Sequence, residues 1–398
     1  MHVIVVGAGI VGLASAVNLA ARGARVTVLD REPVGGADLA HRASWGNAGW
    51  VSPGLVVPLA EPGAWKHGIT AFTDRDAPLS IPRLTPRLAV FLARFASQMT
   101  ERRFHQAIDA AASWTTQALA AYDRLAERGV REPIVRAPFT IGTTSEDDLA
   151  AFAHEVEVLA ATGVDVAASR VDAGKPWFSG RVTHALELTG QAYMDPGAYC
   201  ADLVRLAREL GVEFHGGVEV VTGHEGTKTV GLVDSTGATW NADRVLVAAG
   251  AWSDDLVARI WGRRARTGQA SGRGYSFTVP VEESHMPPGP VYLPAQRVVL
   301  TPYRGGMRVA GTMEFADPDA PLDPRRIEGI VRTLEPCVEG LDLHARTDEW
   351  VGARPVPTDG RPALRRVGGR GYLCSGMGMW GIVLGAVAGE RTADLVLR

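Results

Sequence analysis

The sequence predicts an α/β protein, and three observations carry that prediction. An N-terminal run, VIVVGAGIVGLASAVNLAARGARVTVLD, reads as strand, glycine turn, helix and second strand. A later apolar strand, NADRVLVAAGAWS, ends in small residues that let backbone pass close to a ligand. Near the C-terminus, GYLCSGMGMWGIVLGAVAGERTADLV passes from a short strand through a glycine turn into a long apolar helix.

The first unit is the most specific. Val3 to Val6 form an apolar, β-branched run, and Gly7, Gly9 and Gly12 then give the GxGxxG spacing ahead of a helical segment from Ile10 to Arg22. Gly7 permits the tight turn, Gly9 lets backbone N–H groups approach a pyrophosphate at the positive helix end, and Gly12 lets helix and strand pack closely. Asp30 ends the strand VTVLD, where its carboxylate can accept hydrogen bonds from both ribose hydroxyls. Together these features predict a Rossmann-like dinucleotide-binding unit rather than a glycine turn without a ligand. The segment lacks the basic flank and the small-residue cleavage site of a signal peptide. No other stretch approaches the roughly 20 apolar residues of a membrane span. The expected location is cytoplasmic, with peripheral attachment at the inner face of a membrane left open.

Composition narrows the function classes. A chain of 398 residues, 46% of them hydrophobic, can bury a large core and suggests two or three domains. A net charge of −3 gives no electrostatic case for nucleic acid. Cys200, Cys337 and Cys374 are too scattered for a disulfide framework, and with no CxxC, HxH or HExxH pattern no metal is expected. Lys66, Lys175 and Lys228 are the only lysines, so arginine is the main cation.

In the middle of the chain, Leu88, Phe91, Leu92, Phe95 and Met99 recur at helical spacing, and Ile108, Ala111, Trp114 and Leu119 extend the pattern through a second helix. These are expected in a core. From Tyr275 to Thr312 the runs GYSFTV, VYLP, RVVLTPY and MRVAGT predict an antiparallel sheet. The stretch from Pro53 to Pro86 reads as an ordered loop. Gly376, Gly378 and Gly381, at the start of the last helix, point backbone N–H groups towards an electron-rich group.

Four segments carry a family resemblance: the N-terminal unit, ASWGNAGWVSPG (Ala43 to Gly54), VLVAAGAWS, and the pair GARPVPTDGRPAL and GMGMWGIVLG. With these the chain resembles the FAD-dependent D-amino acid oxidase superfamily, most of all its D-amino acid dehydrogenase and glycine oxidase-type members. The resemblance implies non-covalent FAD and two interleaved domains. An FAD-binding domain, Rossmann-like, would take 1–84, 187–262 and 346–398, and an α+β substrate domain with the antiparallel sheet would take 85–186 and 263–345. It implies that Gly7, Gly9, Ile10, Val11, Gly12, Asp30 and Arg31 hold the ADP half and that Val220 meets adenine. Ser44, Asn47, Ala48 and Gly49 would line the pyrophosphate and ring, with Ala249, Gly250 and Trp252 near the ribityl side. Gly376, Gly378, Met379, Trp380, Gly381 and Ile382 would face the pyrimidine edge.

The implied reaction is oxidation of a CH–NH bond by hydride transfer to flavin N5, giving an imine and then a 2-oxo acid and ammonia. The protein's task is to orient substrate and tune charge. Arg354 matches the family's arginine for the substrate carboxylate, and its planar fork suits a bidentate grip; the alternative is a surface arginine paired with Asp359. Tyr275 and Tyr303 could hydrogen-bond that carboxylate or close over the substrate, or serve as core aromatics. Three departures stand out: Met377 where many relatives have His, Arg365 and Arg366 where small or apolar residues are usual, and Arg308 where sarcosine oxidases place a lysine. His41 could anchor flavin covalently or be a plain loop residue. The expected partner is an amino acid or amine. The electron acceptor, a quinone, another carrier or oxygen, stays open, as does oligomeric state. So do a glycine or sarcosine oxidase that makes hydrogen peroxide, a non-catalytic FAD-binding subunit and an NADPH-using hydroxylase.

Overall fold

The computed structural model describes residues 1–35, 42–62 and 77–398. His41, Lys66 and part of the 53–86 loop lie outside the described residues. A six-stranded sheet is ordered Glu213–Gly216, Arg25–Asp30, His2–Val6, Arg244–Val247, Gly371–Ser375, Ala363–Arg366. Its first five strands are parallel and the last is antiparallel. The helix Ile10–Ala21 turns Ile10, Leu13, Ala14 and Val17 inward, the i, i+3, i+4, i+7 stripe of a core-facing helix. The last helix, Gly381–Leu397, packs on it so closely that a Cβ at Gly389 would stand 2.6 Å from the Ala14 backbone. Both helices share one core with Tyr122, Tyr199 and Leu203.

A nine-stranded sheet contains the predicted antiparallel strands. Its main path runs Thr347–Val356, Ala270–Val279, Gly306–Phe315, Val298–Tyr303, Val291–Leu293, Phe139–Thr143, His184–Thr189, Ala167–Val171, and Leu79–Ser80 pairs beside Gly306–Phe315. Thr347–Val356 and Leu79–Ser80 therefore pair with the substrate-side sheet, although the sequence reading grouped them with the cofactor segments. One face of this sheet buries Tyr275, Phe277, Met307 and Val309 against Ile327, Ile330 and Leu334 of the helix Pro324–Leu334. The alternation of strand side chains turns Gly272, Gly274, Ser276, Trp350, Gly352 and Arg354 to the other face.

The helical stripe beginning at Leu88 buries Phe91 and Phe95 beside Phe315 and Met313, with Leu88, Leu92 and Met99 packed against them. Its helix, Pro86–Ala96, starts with Pro86 at the first position and with the Thr85 side chain accepting from the Leu88 N–H. The stripe from Ile108 to Leu119 spans two helices, Glu101–Thr115 and Ala118–Glu127. The Thr115 and Thr116 hydroxyls both donate to the Ala112 carbonyl at the break, the local competition that ends helices. All three cysteines are buried and free. Among the described residues no helix is long and apolar enough to cross a membrane, and no His, Cys, Asp or Glu cluster could hold a metal.

Candidate active site

Gly7 adopts a φ of +110°, and a Cβ there would lie 2.5 Å from the Ala248 carbonyl oxygen. A Cβ at Gly12 would lie 1.9 Å from the Gly7 carbonyl oxygen, so only glycine allows this turn. Gly9 precedes the helix without capping it, and Ser44 Oγ accepts the Ile10 N–H at 3.1 Å. Ile10 and Val11 thus open an N-terminus whose remaining N–H groups have no side-chain cap, a setting that favours an anion. The last helix also begins without a side-chain cap, at Gly381. Ile10 and Gly385 touch where the two helices cross.

Asp30 is tied to the protein through both carboxylate oxygens. Its Oδ2 accepts the Ala8 N–H at 2.6 Å and Arg42 Nε at 3.2 Å, and its Oδ1 accepts the Glu32 N–H at 2.8 Å and Arg42 Nη2 at 3.0 Å. Each oxygen already accepts two hydrogen bonds from the protein. Asp30 therefore braces the glycine turn, with Arg42 as a buried partner that no motif spacing had marked. Arg31 stacks 4.0 Å over the Trp252 ring and pairs with Asp319 at 2.8 Å, while Trp252 Nε1 donates to the same carboxylate. Val220 opens a strand of a separate three-stranded sheet and is packed in a core.

Asn47 Oδ1 accepts the Gly49 N–H, and Gly49, at φ +77°, leaves no room for a side chain because a Cβ would meet the Met194 carbonyl at 2.1 Å. Ala48 packs against the cluster of Trp50 and Phe139. After Ala249, Gly250 turns at φ +55°, and its carbonyl accepts from Gln269 Nε2 and Ser375 Oγ. Ser375 leads into Gly376 and Gly378, both at positive φ, and the short turn Gly378–Trp380. Trp380 Nε1 donates to the Val57 carbonyl, and Ile382 is buried with its carbonyl accepting from Tyr122. Met377 is a core residue, packed with Ile382 and Val383. A Cβ at Gly250 or Gly381 would meet nothing within 4 Å, and at Gly9 only Ser44 Oγ at 3.5 Å. Bare backbone facing open space, beside two helix starts whose N-cap residues supply no side-chain bond, fits a long dinucleotide such as FAD.

Arg354 faces this region from the sheet. Its Nη1 donates to the Thr312 carbonyl at 3.2 Å, and its guanidinium lies where Gly274 lacks a side chain. Among the described residues no carboxylate pairs with it, and Asp359, the alternative partner, accepts the Arg361 N–H instead. Burial pulls the Arg354 guanidinium down to about 10. Thr312 is β-branched yet sits at φ +60°, a rare and strained conformation.

The two tyrosines part company. Tyr275 lies on the far face of the sheet from Arg354, donating to Glu314 Oε2 at 2.8 Å, and burial with that hydrogen bond pushes its phenol up. It cannot close over anything held by Arg354. Tyr303 is on the same face as Arg308, whose guanidinium lies 4.2 Å over its ring. Arg308 is fully buried with no carboxylate partner among the described residues; it also lies over Trp45 and reaches Ser276 Oγ at 3.4 Å. The two arginine heads thus lie over Gly274 and Ser276, consecutive positions on one face and about 7 Å apart by strand geometry. Gly274, Thr312 and Met313 had drawn no attention as sequence, because nothing local to them signals a partner on another strand.

A nucleotide-binding sheet with open glycine positions, joined to an antiparallel sheet that carries an arginine with no carboxylate partner among the described residues, defines a flavin-dependent oxidoreductase. The chain matches the FAD-dependent oxidoreductase model DAO over residues 2–395 and belongs to that family. It is 32% identical over 412 positions to a D-amino acid dehydrogenase of Cereibacter sphaeroides, covering 100% of this chain and 92% of the relative. In fold it is similar to glycine oxidase from Bacillus cereus, with a TM-score of 0.71, 18% identity and coverage of 100% and 94%. It is likewise similar to L-α-glycerophosphate oxidase from Mycoplasma pneumoniae with FAD bound, with a TM-score of 0.76, 15% identity and coverage of 100% and 94%. FAD is the cofactor, and the chain is an oxidoreductase.

Proposed function

We propose that this enzyme oxidises the CH–NH bond of a D-amino acid, or a related small amino or imino acid, to an imine that water converts to a 2-oxo acid and ammonia. The observation that carries the reading is Arg354, a largely desolvated guanidinium with no carboxylate partner among the described residues, held over Gly274 on a strand that meets the Gly250 and Gly378 turns. Bound FAD supplies the two-electron acceptor. Arg354 would grip the substrate carboxylate through two parallel N–H donors and so fix which Cα bond is presented. Met313, in contact with Arg354, and Met379, packed beside it, would give the substrate side chain an apolar wall. Among the described residues the groups touching Arg354, namely Thr312, Met313 and Gly274, include no acid or base, and none is needed if the amine binds already neutral. The D-amino acid dehydrogenase relatives at 30–32% identity support this substrate class.

The test is an anaerobic absorbance screen of the FAD-loaded enzyme against D- and L-amino acids, glycine, sarcosine and D-proline. Bleaching by D-amino acids supports the reading. Bleaching only by L-amino acids, or by none of the panel, contradicts it. Hydrogen peroxide formed in air at the rate of turnover would make the enzyme an oxidase; its absence would leave a quinone or another carrier as acceptor.

A further inference from the structure

We propose that Glu314, together with Arg273 and Tyr275, is a positioning group for Arg354, acting through a bulge in the sheet; this rests on reading Arg354 as the carboxylate anchor. On the strand Ala270–Val279, Arg273 pairs with Glu314 and Tyr275 with Gly311, so Gly274 alone faces two residues, Thr312 and Met313. That extra residue is a β-bulge, the device by which a strand re-aims one group. Here the re-aimed group is the Thr312 carbonyl, which receives Arg354 Nη1 at 3.2 Å, and Gly274 provides the gap for the guanidinium.

The bulge costs strain at Thr312, whose φ is +60° and whose hydroxyl has no partner among the described residues. Something must hold it. On the opposite face the two residues flanking Gly274 are tied to one carboxylate: Arg273 Nη1 lies 3.0 Å from Glu314 and Tyr275 donates to it at 2.8 Å. Arg273 also donates to the Pro321 carbonyl. All three side chains are buried, so the tie is unscreened by solvent. Glu314 thereby spans the bulge, bonding both its register partner Arg273 and the residue beyond the gap.

Tyr275→Phe removes one arm and keeps the ring, so the fold should survive. The probe is benzoate, a carboxylate without an amine, with binding read from the perturbed flavin absorbance of the holoenzyme. The expected result is a rise of about fivefold in benzoate Kd and in substrate KM, with kcat changed by less than about twofold. Glu314→Gln should give a larger rise. In an Arg354→Ala background Tyr275→Phe should add nothing, because an effect routed through Arg354 disappears with it, whereas general loosening would persist. An unchanged Kd in Tyr275→Phe while Arg354→Ala raises it overturns the inference, as does an undiminished effect in the double variant. If Arg354→Ala itself leaves benzoate binding unchanged, the anchor reading falls first and this inference with it.

Discussion

The guanidinium of Arg354 fills the space that Gly274 leaves empty, with Nη2 1.8 Å from where a Cβ of residue 274 would stand. Gly274→Ala should therefore expel the guanidinium without touching its charge. Its effect should match that of Arg354→Lys, which keeps charge and loses the fork: a rise in KM of about a hundredfold or more. Steady-state kinetics on both variants, with FAD content measured, checks this. A Gly274→Ala enzyme with normal KM would mean that the arginine is not held where the site needs it.

The pH profile should have one limb. If the amine must enter neutral, kcat/KM rises with pH through the ammonium pKa of the substrate. Arg354 keeps its charge throughout, because a guanidinium holds its proton even when burial lowers its pKa. Benzoate Kd, which involves no amine, should therefore stay flat across the range in which kcat/KM rises.

Gly381 tests the cofactor cradle separately from folding. Its backbone is ordinary helix and a Cβ there meets only open space, so Gly381→Ala should leave the melting temperature of apoprotein within a few degrees. FAD affinity should nonetheless fall at least about tenfold, because the methyl enters the space proposed for the cofactor. Equilibrium dialysis of FAD against both proteins measures it.

The Asp30–Arg42 pair predicts a different phenotype. Arg42→Ala leaves a buried carboxylate short of two donors and should destabilise the protein by about 3 kcal/mol, read by urea unfolding.

Glu155 gives a stability signature away from the site. Burial, with Glu61 nearby, raises it from 4.5 to about 7, against the lowering effect of Arg297. The folded state then holds a proton that the unfolded state has released, so stability contributed by this group is fully present below about pH 4.5 and declines as pH rises to about 7. Glu155→Gln should flatten that part of the stability curve.

How much of this could be read from sequence follows from the range of the interactions. The glycine turn, its helix and the strand ending at Asp30 were legible because they are local and periodic, and so were the four antiparallel runs after Tyr275. The resemblance supplied Arg354 as the anchor to examine. What could not be read was which face a strand residue takes once a bulge intervenes. Alternation alone leaves Tyr275 and Tyr303 equally plausible as site residues, yet strand pairing puts Tyr275 behind the sheet and Tyr303 beside Arg308. The Asp30–Arg42 pair could not be read for a related reason: Arg42 lies twelve residues away in a loop with no periodicity.

The most direct measurement is anaerobic titration of holoenzyme and Arg354→Ala with D- and L-alanine, following flavin absorbance. D-alanine should bleach the wild-type flavin, L-alanine should not, and Arg354→Ala should need at least about a hundredfold more D-alanine for the same reduction rate. Equal reduction of both proteins at equal D-alanine would contradict this, since Arg354 would then have no part in holding the substrate.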